Sequence, residues 1–523
     1  MSNNSQLPSK YILLPLIIAL SAAIGMLAGY RMNFNNNNIS LLKVENIDSN
    51  SPQFKDGRIE EILRFIETNY VDSLDENVIA VDAINHILRQ LDPHSSYITP
   101  EELDEHNQKM EGVYTGVGIE TIKLRDTFYI TQMRDGSPAS DSGLQIGDGI
   151  ITVSGETVSG NMTSFADMSQ LLKGEKGVPV SIGYKPVDKE DIVDVNVTPS
   201  DIILQSADIS YLIKKNVAYV KISRFNSNTY EQFIKSLERI STEGEDLDLI
   251  IDLRDNPGGY LPETINILSQ LYDEKDKLLT YTEGLNRKRQ EYRSTGRQFF
   301  NIGKIAVLIN KNSASGSEIL AGAIQDWDRG FIVGESSFGK GLVQEIFPLS
   351  NGGALRLTVS KYYTPSGRLI QKSYDNINEK FVADTSDYTT KILNRTVIGG
   401  GGVTPDYKIS DDINTVCYNF FDYSDYYLID KMTDIDNYDL QLSNISSTDF
   451  TNFIGEEFIE EVATLDRACN YQTEAYLKAR LKRMQEGDVV FTQTINASDP
   501  IIDKALQVIA DRKTTFALLS EKK

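Results

Sequence analysis

Apolar residues along this chain change period several times, and each change predicts a new element. Residues 11–30, YILLPLIIALSAAIGMLAGY, carry no charge and are flanked by Lys10 and Arg31. About 20 apolar residues suffice to cross a bilayer, so the run predicts an uncleaved anchor with residues 1–10 inside and the rest outside. A cleaved signal peptide is the alternative. The Asn-rich stretch 31–56 predicts a flexible tether. Over 57–110 the period becomes helical, through Ile59, Ile62, Leu63, Ile66 and Tyr70, then Val78, Val81, Ile84, Ile87, Leu88 and Leu91. The string LDPHSSYITPEE, 91–102, interrupts it with a proline turn and a new helix start. His94 in that turn reads as structural.

From 111 to 200, strand-like runs such as FYITQM alternate with glycine turns in GSPASDSGLQIGDGIITVSGETV, 136–158. After 201 the apolar runs lengthen. NVAYVKISRFN and DLDLIIDLRDNPGGYL predict strands, the second ending in an Asn-Pro-Gly-Gly turn at 256–259. Residues 305–309 predict a buried strand, and Ile319, Leu320, Ala323, Ile324 and Trp327 mark one face of a helix. Further strands are predicted at 331–333, in LVQEIFPL and in LRLTVSKYY, and VIGGGGVTPD, 397–406, closes this region. Residues 418–450 are dense in Tyr, Asp, Asn and Ser, while 451–485 and 499–520 are helical in pattern. No chemistry is legible past 407; docking or oligomerisation is the role left to it.

The length of 523 residues predicts three or four domains. A net charge of −23 argues against nucleic acid, which needs a basic surface, and against broad docking on anionic lipid. Cys417 and Cys469 have no metal-ligand spacing, and pair only if the compartment is oxidising. No metal or cofactor is implied.

The candidate chemistry lies in KIAVLINKNSASGSEILAGAIQDWDRGFIVGESSFGKGLVQ, 304–344. A serine between a strand and a helix exposes its hydroxyl beside the free N–H groups of the helix start, which suits acyl transfer. Its base is not evident among His86, His94 and His106, all far upstream. Lys340 is nearer. It serves as a base only when neutral, which burial favours, and its neighbours Phe338, Gly339, Gly341 and Leu342 permit burial. On composition alone it reads equally as a surface lysine in a glycine turn. GESSFGKG nearly fits a phosphate loop, but Gly341 stands where the magnesium-binding hydroxyl belongs and a strand follows.

These residues resemble the C-terminal processing peptidases, or tail-specific proteases, over roughly 57–406. The likeness lies in a serine before Glu-Ile-Leu-Ala-Gly-Ala, in Phe-Gly-Lys-Gly, and in a glutamine four residues after the lysine. It implies Ser315 as nucleophile, Lys340 as general base and Gln344 as its orienting partner. Gly258, Gly259 and Gly316 would supply oxyanion N–H groups; Gly316 replaces the family's usual alanine. Residues 111–200 resemble a PDZ domain. There Gly116, Val117, Gly118 and Ile119 would form the loop receiving a peptide's terminal carboxylate. Met168, Leu171 and Leu172 would wall its groove, although each reads equally as core.

The expected fold is multidomain α+β. An N-terminal helical segment (57–110) precedes a PDZ domain (111–200), an α/β crotonase/ClpP-like peptidase core (201–406) and a mostly helical C-terminal extension (407–523). The expected function is cleavage of proteins near their C-termini after the PDZ domain captures an unfolded tail. The expected location is a bacterial inner membrane, single-pass, with the catalytic part periplasmic. A homo-oligomer or an adaptor protein remains open. So do two other readings, a non-catalytic PDZ docking protein and a crotonase-like acyl-CoA enzyme.

Overall fold

The computed structural model describes residues 57–160, 163–189, 191–207, 209–241, 246–374, 386–410, 420–434, 442–458 and 467–511. The expected membrane anchor, the tether, Cys417 and the side chain of Cys469 lie outside the described residues. Among those described, no helix is long and apolar enough to cross a membrane. The chain divides into two compact units at Ala80 and Val81. The first includes helix α1, Arg58–Asn69, whose apolar positions Ile59, Ile62 and Phe65 are exposed. Helix α2 is Glu76–Arg89.

In the second unit the turn after α2 leads to strand β1, Ser96–Ile98. Helix α3, Pro100–Glu111, follows, started by a Thr99/Glu102 capping box and by proline in its first turn. The region expected to be a PDZ domain comes next. Strands β2 (Val113–Gly116), β3 (Ile119–Leu124), β4 (Thr127–Met133), β5 (Gly149–Val153), β6 (Glu156–Thr157), β7 (Val180–Lys185), β8 (Val193–Val197) and β9 (Ser200–Ile203) surround helices α4 (Pro138–Ser142) and α5 (Phe165–Lys173). One sheet runs β3-β4-β5-β7-β8 with β6 on β5, and β2 pairs with β9. Phe128, Ile130, Ile150, Ile182 and Val180 fill its core.

The region expected to be the peptidase core holds two sheets. The larger has the order β10-β11-β12-β15-β16-β21, made of Ser210–Lys214, Val217–Lys221, Leu247–Asp252, Ile302–Ile309, Phe331–Gly334 and Tyr407–Lys408. All its pairings are parallel except that of edge strand β10. Leu249, Ile251, Val307 and Ile309 face helices α6 (Thr229–Ile240), α7 (Leu261–Gln270) and α8 (Gly316–Asp326). The alternate residues Ile250, Ala306 and Leu308 meet Ile501, Ile502 and Ala505 from the far C-terminus. A parallel sheet covered on both faces needs such continuous apolar strands. The second sheet, β1-β18-β13-β14 with β17 on β18, uses Lys275–Gly284 (β13), Arg287–Thr295 (β14), Leu342–Pro348 (β17) and Ala354–Tyr363 (β18). Strands β19 (Asp387–Thr389) and β20 (Thr396–Ile398) form a separate pair.

The C-terminal extension splits its packing between two partners. Helices α9 (Ser424–Asp434), α10 (Ser447–Glu457) and α11 (Arg467–Glu486) cluster with Leu124 of the PDZ sheet. Helix α12 is Asp488–Asn496, and α13, Pro500–Ala510, covers the peptidase sheet.

Candidate active site

Strand β15 ends at Ile309, and the small residues after it turn the chain into α8. Ser315 sits at the junction with φ 55° and ψ −111°, a left-handed conformation that a non-glycine residue adopts only at a cost of about 1–3 kcal/mol. Neighbouring bonds hold it there. Ala314 N–H and Ser317 Oγ donate to Asn256 O at 3.0 and 2.9 Å, and Ser313 Oγ donates to Leu253 O at 2.8 Å.

The Asn-Pro-Gly-Gly turn that follows β12 packs directly against this junction. A Cβ on Gly258 would lie 2.7 Å from Ser315 Cβ and 2.9 Å from Gly316 N, and one on Gly259 would lie 2.0 Å from Phe225 O. Only glycine fits both positions. Buried Asn256 shapes the turn: its Oδ1 accepts Gly258 N–H at 2.8 Å and its Nδ2 donates to Ile222 O at 2.9 Å. Gly258 N–H is therefore committed to the fold, which narrows the expected oxyanion donors. Among the described residues, the N–H groups of Gly259 and Gly316 have no such acceptor.

Glu318, one turn into α8 and fully buried, joins the serine to the lysine loop. Its Oε2 accepts Ser315 N–H and Lys340 N–H, both at 2.8 Å, and its Oε1 accepts Gly339 N–H and Ser337 Oγ–H, both at 2.6 Å. Burial pushes its carboxyl upward, and these four donors work against that shift. Tyr362 also bridges the two loops, donating to Ser315 O at 3.2 Å and to Lys340 O.

The Lys340 amine donates to Gln344 Oε1 at 3.1 Å. Burial lowers its pKa and the Arg356 charge adds to that, while Glu318 and Asp92 oppose. Gln344 Nε2 and Thr358 Oγ1, at facing positions of β17 and β18, are buried without a hydrogen bond. No hydrogen bond joins the Ser315 hydroxyl to the Lys340 amine. The fold thus brings Ser315, Lys340, Gln344, Gly259 and Gly316 into one site, with the lysine turned to the glutamine.

Residues 216–380 match peptidase family S41 and residues 129–185 match the PDZ domain. The chain is 32% identical over 320 residues to a carboxy-terminal-processing protease of Bartonella bacilliformis, covering 60% of this chain and 72% of that one. This chain belongs to the S41 family of carboxy-terminal-processing proteases. A chloroplastic C-terminal processing peptidase of Tetradesmus obliquus is 32% identical, covering 58% of this chain and 68% of its own. The carboxy-terminal processing protease CtpB of Bacillus subtilis is 30% identical, covering 60% and 65%.

In this S41 protease the PDZ loop at 116–118 is buried against the start of α4. Val117 O accepts Ala139 N–H at 3.0 Å, and a Cβ on Gly118 (φ 85°) would lie 2.4 Å from Ser137 Cβ. Ile119 is half-buried at the start of β3. Met168 and Leu172, only 1% and 7% exposed, belong to the domain's core, whereas Leu171 is half-buried at its margin. Of the three expected groove residues, Leu171 is the one with surface to offer a peptide.

Sequence reasoning missed Glu318, although a serine with a glutamate three residues on is the signature of a capping box. It also left Arg254 without a place. That side chain is bonded to buried Asp252 at 2.7 Å and to Asp499, the N-cap of α13, at 2.5 Å.

Proposed function

We propose that this protein is a serine endopeptidase with a Ser–Lys dyad that cuts protein substrates near their C-termini. The PDZ domain adds a flexible tail to its sheet and passes it to the cleft beside Ser315. Neutral Lys340 takes the Ser315 proton, and the serine oxygen attacks the peptide carbonyl. The N–H groups of Gly259 and Gly316 hold the developing oxyanion. Lys340 then protonates the leaving amine, and water hydrolyses the acyl-enzyme. Gln344 keeps the amine in place between steps. The chain is anchored by residues 11–30 with its catalytic part outside a bacterial inner membrane.

The observation that carries this reading is Glu318, which fixes the backbone of both Ser315 and Lys340 through one carboxylate oxygen. The test compares the full chain with Ser315→Ala and Lys340→Ala on an unstructured protein ending in an apolar tail. Cleavage by the wild type alone is expected, with loss of about 10⁴-fold or more in either variant. Undiminished cleavage by either variant rejects the dyad. Extraction of the full chain from membranes at alkaline pH tests the anchor, since release into the soluble fraction contradicts it.

A further inference from the structure

His94 lies in the turn before β1, far from the lysine in sequence, yet the sheet brings the two regions together. Buried Asp92 caps that turn: its Oδ1 accepts His94 N–H at 2.7 Å and Ser95 N–H at 2.8 Å, and its Oδ2 accepts Ser95 Oγ–H at 2.8 Å. Ser95 Oγ in turn accepts Thr358 N–H at 3.2 Å. Thr358 faces Gln344 on its other side, so one strand, β18, separates the histidine turn from the partner of Lys340.

The segment after β18 grips the lysine loop from a different direction. Gln371 Oε1 accepts Gly341 N–H at 2.8 Å, Lys372 N–H donates to Gly339 O at 3.0 Å, and Lys372 Nζ lies 3.6 Å from the centre of the Phe338 ring. Two residues on, half-buried Tyr374 meets His94, with its hydroxyl 2.7 Å from Nε2 and the rings edge to face at 5.8 Å. The two segments flanking Lys340 therefore meet at this contact.

We infer that the His94–Tyr374 contact is a clasp that holds these segments shut and keeps water from the Lys340 amine. Both are positioning residues, and the inference rests on Lys340 being the base. The charged groups around the lysine are Arg356, Glu318 and Asp92; those around the histidine are Lys340, Asp92, Lys372 and Arg356. Burial and the Lys340 charge push His94 down to about 4, so it stays neutral and adds no competing cation at neutral pH. Burial pushes Tyr374 up to about 12, so its hydroxyl stays protonated.

The test is the pH dependence of kcat/KM for the full chain as wild type, Tyr374→Phe, His94→Ala and the double variant. Activity rises as the lysine loses its proton, and readmitting water favours the charged amine. Each single variant is expected to move the rising limb up by about half a unit or more, a roughly three-fold loss on that limb that is recovered at higher pH. The double variant should move it no further than the larger single shift, because both act through one contact. An unmoved limb, a loss uniform across pH, or a downward shift overturns the clasp. Lys340→Ala is assayed in parallel: full activity there rejects the dyad itself, whereas an inactive Lys340→Ala with unmoved His94 and Tyr374 profiles rejects only the clasp.

Discussion

Two buried carboxylates show how differently the peptidase core and the PDZ domain are organised. Asp148 in the PDZ domain accepts Gln145 N–H at 2.8 Å and Val187 N–H at 3.0 Å, shaping the turn before β5 and tying it to a nearby loop. Glu318 in the core also joins two segments, a strained serine turn and a lysine loop more than 20 residues on, and does so through four donors. Burial pushes both carboxyls upward, and in both backbone N–H groups counter it. One arrangement serves a binding module's own shape; the other holds together the serine turn and the lysine loop that the proposed dyad needs.

The largest effect should follow from removing Glu318. Glu318→Ala leaves four donors without an acceptor, each worth about 1–3 kcal/mol when buried and unmet. Urea unfolding should show a loss of at least about 4 kcal/mol, and cleavage should vanish with it. A variant that folds normally and cuts normally would show that the two loops are held by other means.

The next effect concerns Arg254. Burial would push Asp252 up, but the Arg254 and Lys221 charges and the Arg254 hydrogen bonds outweigh it and hold the carboxyl well below its usual range. Arg254→Met takes the bonded guanidinium from buried Asp252 and should cost about 3–5 kcal/mol. A depressed carboxyl pKa contributes stability that is fully present above about pH 4 and is lost as pH falls through the folded value. The wild type should therefore weaken below pH 4. Asp252→Asn should show a shallower decline over that range, and an identical decline would mean that other carboxylates govern acid unfolding.

In the PDZ domain the loss should be apolar. Met168→Ala opens a cavity and should cost about 2–5 kcal/mol in that domain, read as an early transition in denaturation. Leu171→Ala should leave stability nearly intact and raise KM for tailed substrates. The reverse pattern would make Met168 the groove residue and Leu171 the core one.

These contrasts follow what was legible in the sequence. Ser315, Lys340 and Gln344 sit in short motifs, and local motifs survive without knowledge of the fold. Helical spacing placed Met168, Leu171 and Leu172 together, but spacing defines a face and not what covers it. Arg254 and Asp499 are 245 residues apart and His94 and Tyr374 are 280 apart, so no local pattern pairs them. The apolar pattern of α13 predicted a helix, while its place as the second layer of the peptidase sheet depends on topology. Gly258 and Gly259 were indistinguishable as neighbours until Asn256 was seen to occupy one of their two N–H groups.

The smallest expected effect tests how the PDZ domain is held to the C-terminal helices. Arg125, in the β3–β4 turn, reaches Asp430 at 2.9 Å and Glu457 at 2.8 Å, but its side chain is 57% exposed. Beside it, buried Leu124 joins Leu428, Ile429, Phe453 and Leu477 in one apolar cluster. Exposed ion pairs contribute about 0–1 kcal/mol, and at 1 M salt the screening length falls to about 3 Å. Arg125 also stands at φ 55°, a conformation that glycine adopts more readily. Arg125→Gly should therefore change stability by less than about 1 kcal/mol in either direction, whereas Leu124→Ala should cost about 2–5 kcal/mol. If high salt or Arg125→Gly detaches the PDZ domain from the helices, as read by limited proteolysis, charge holds this joint; if only Leu124→Ala does, apolar burial holds it.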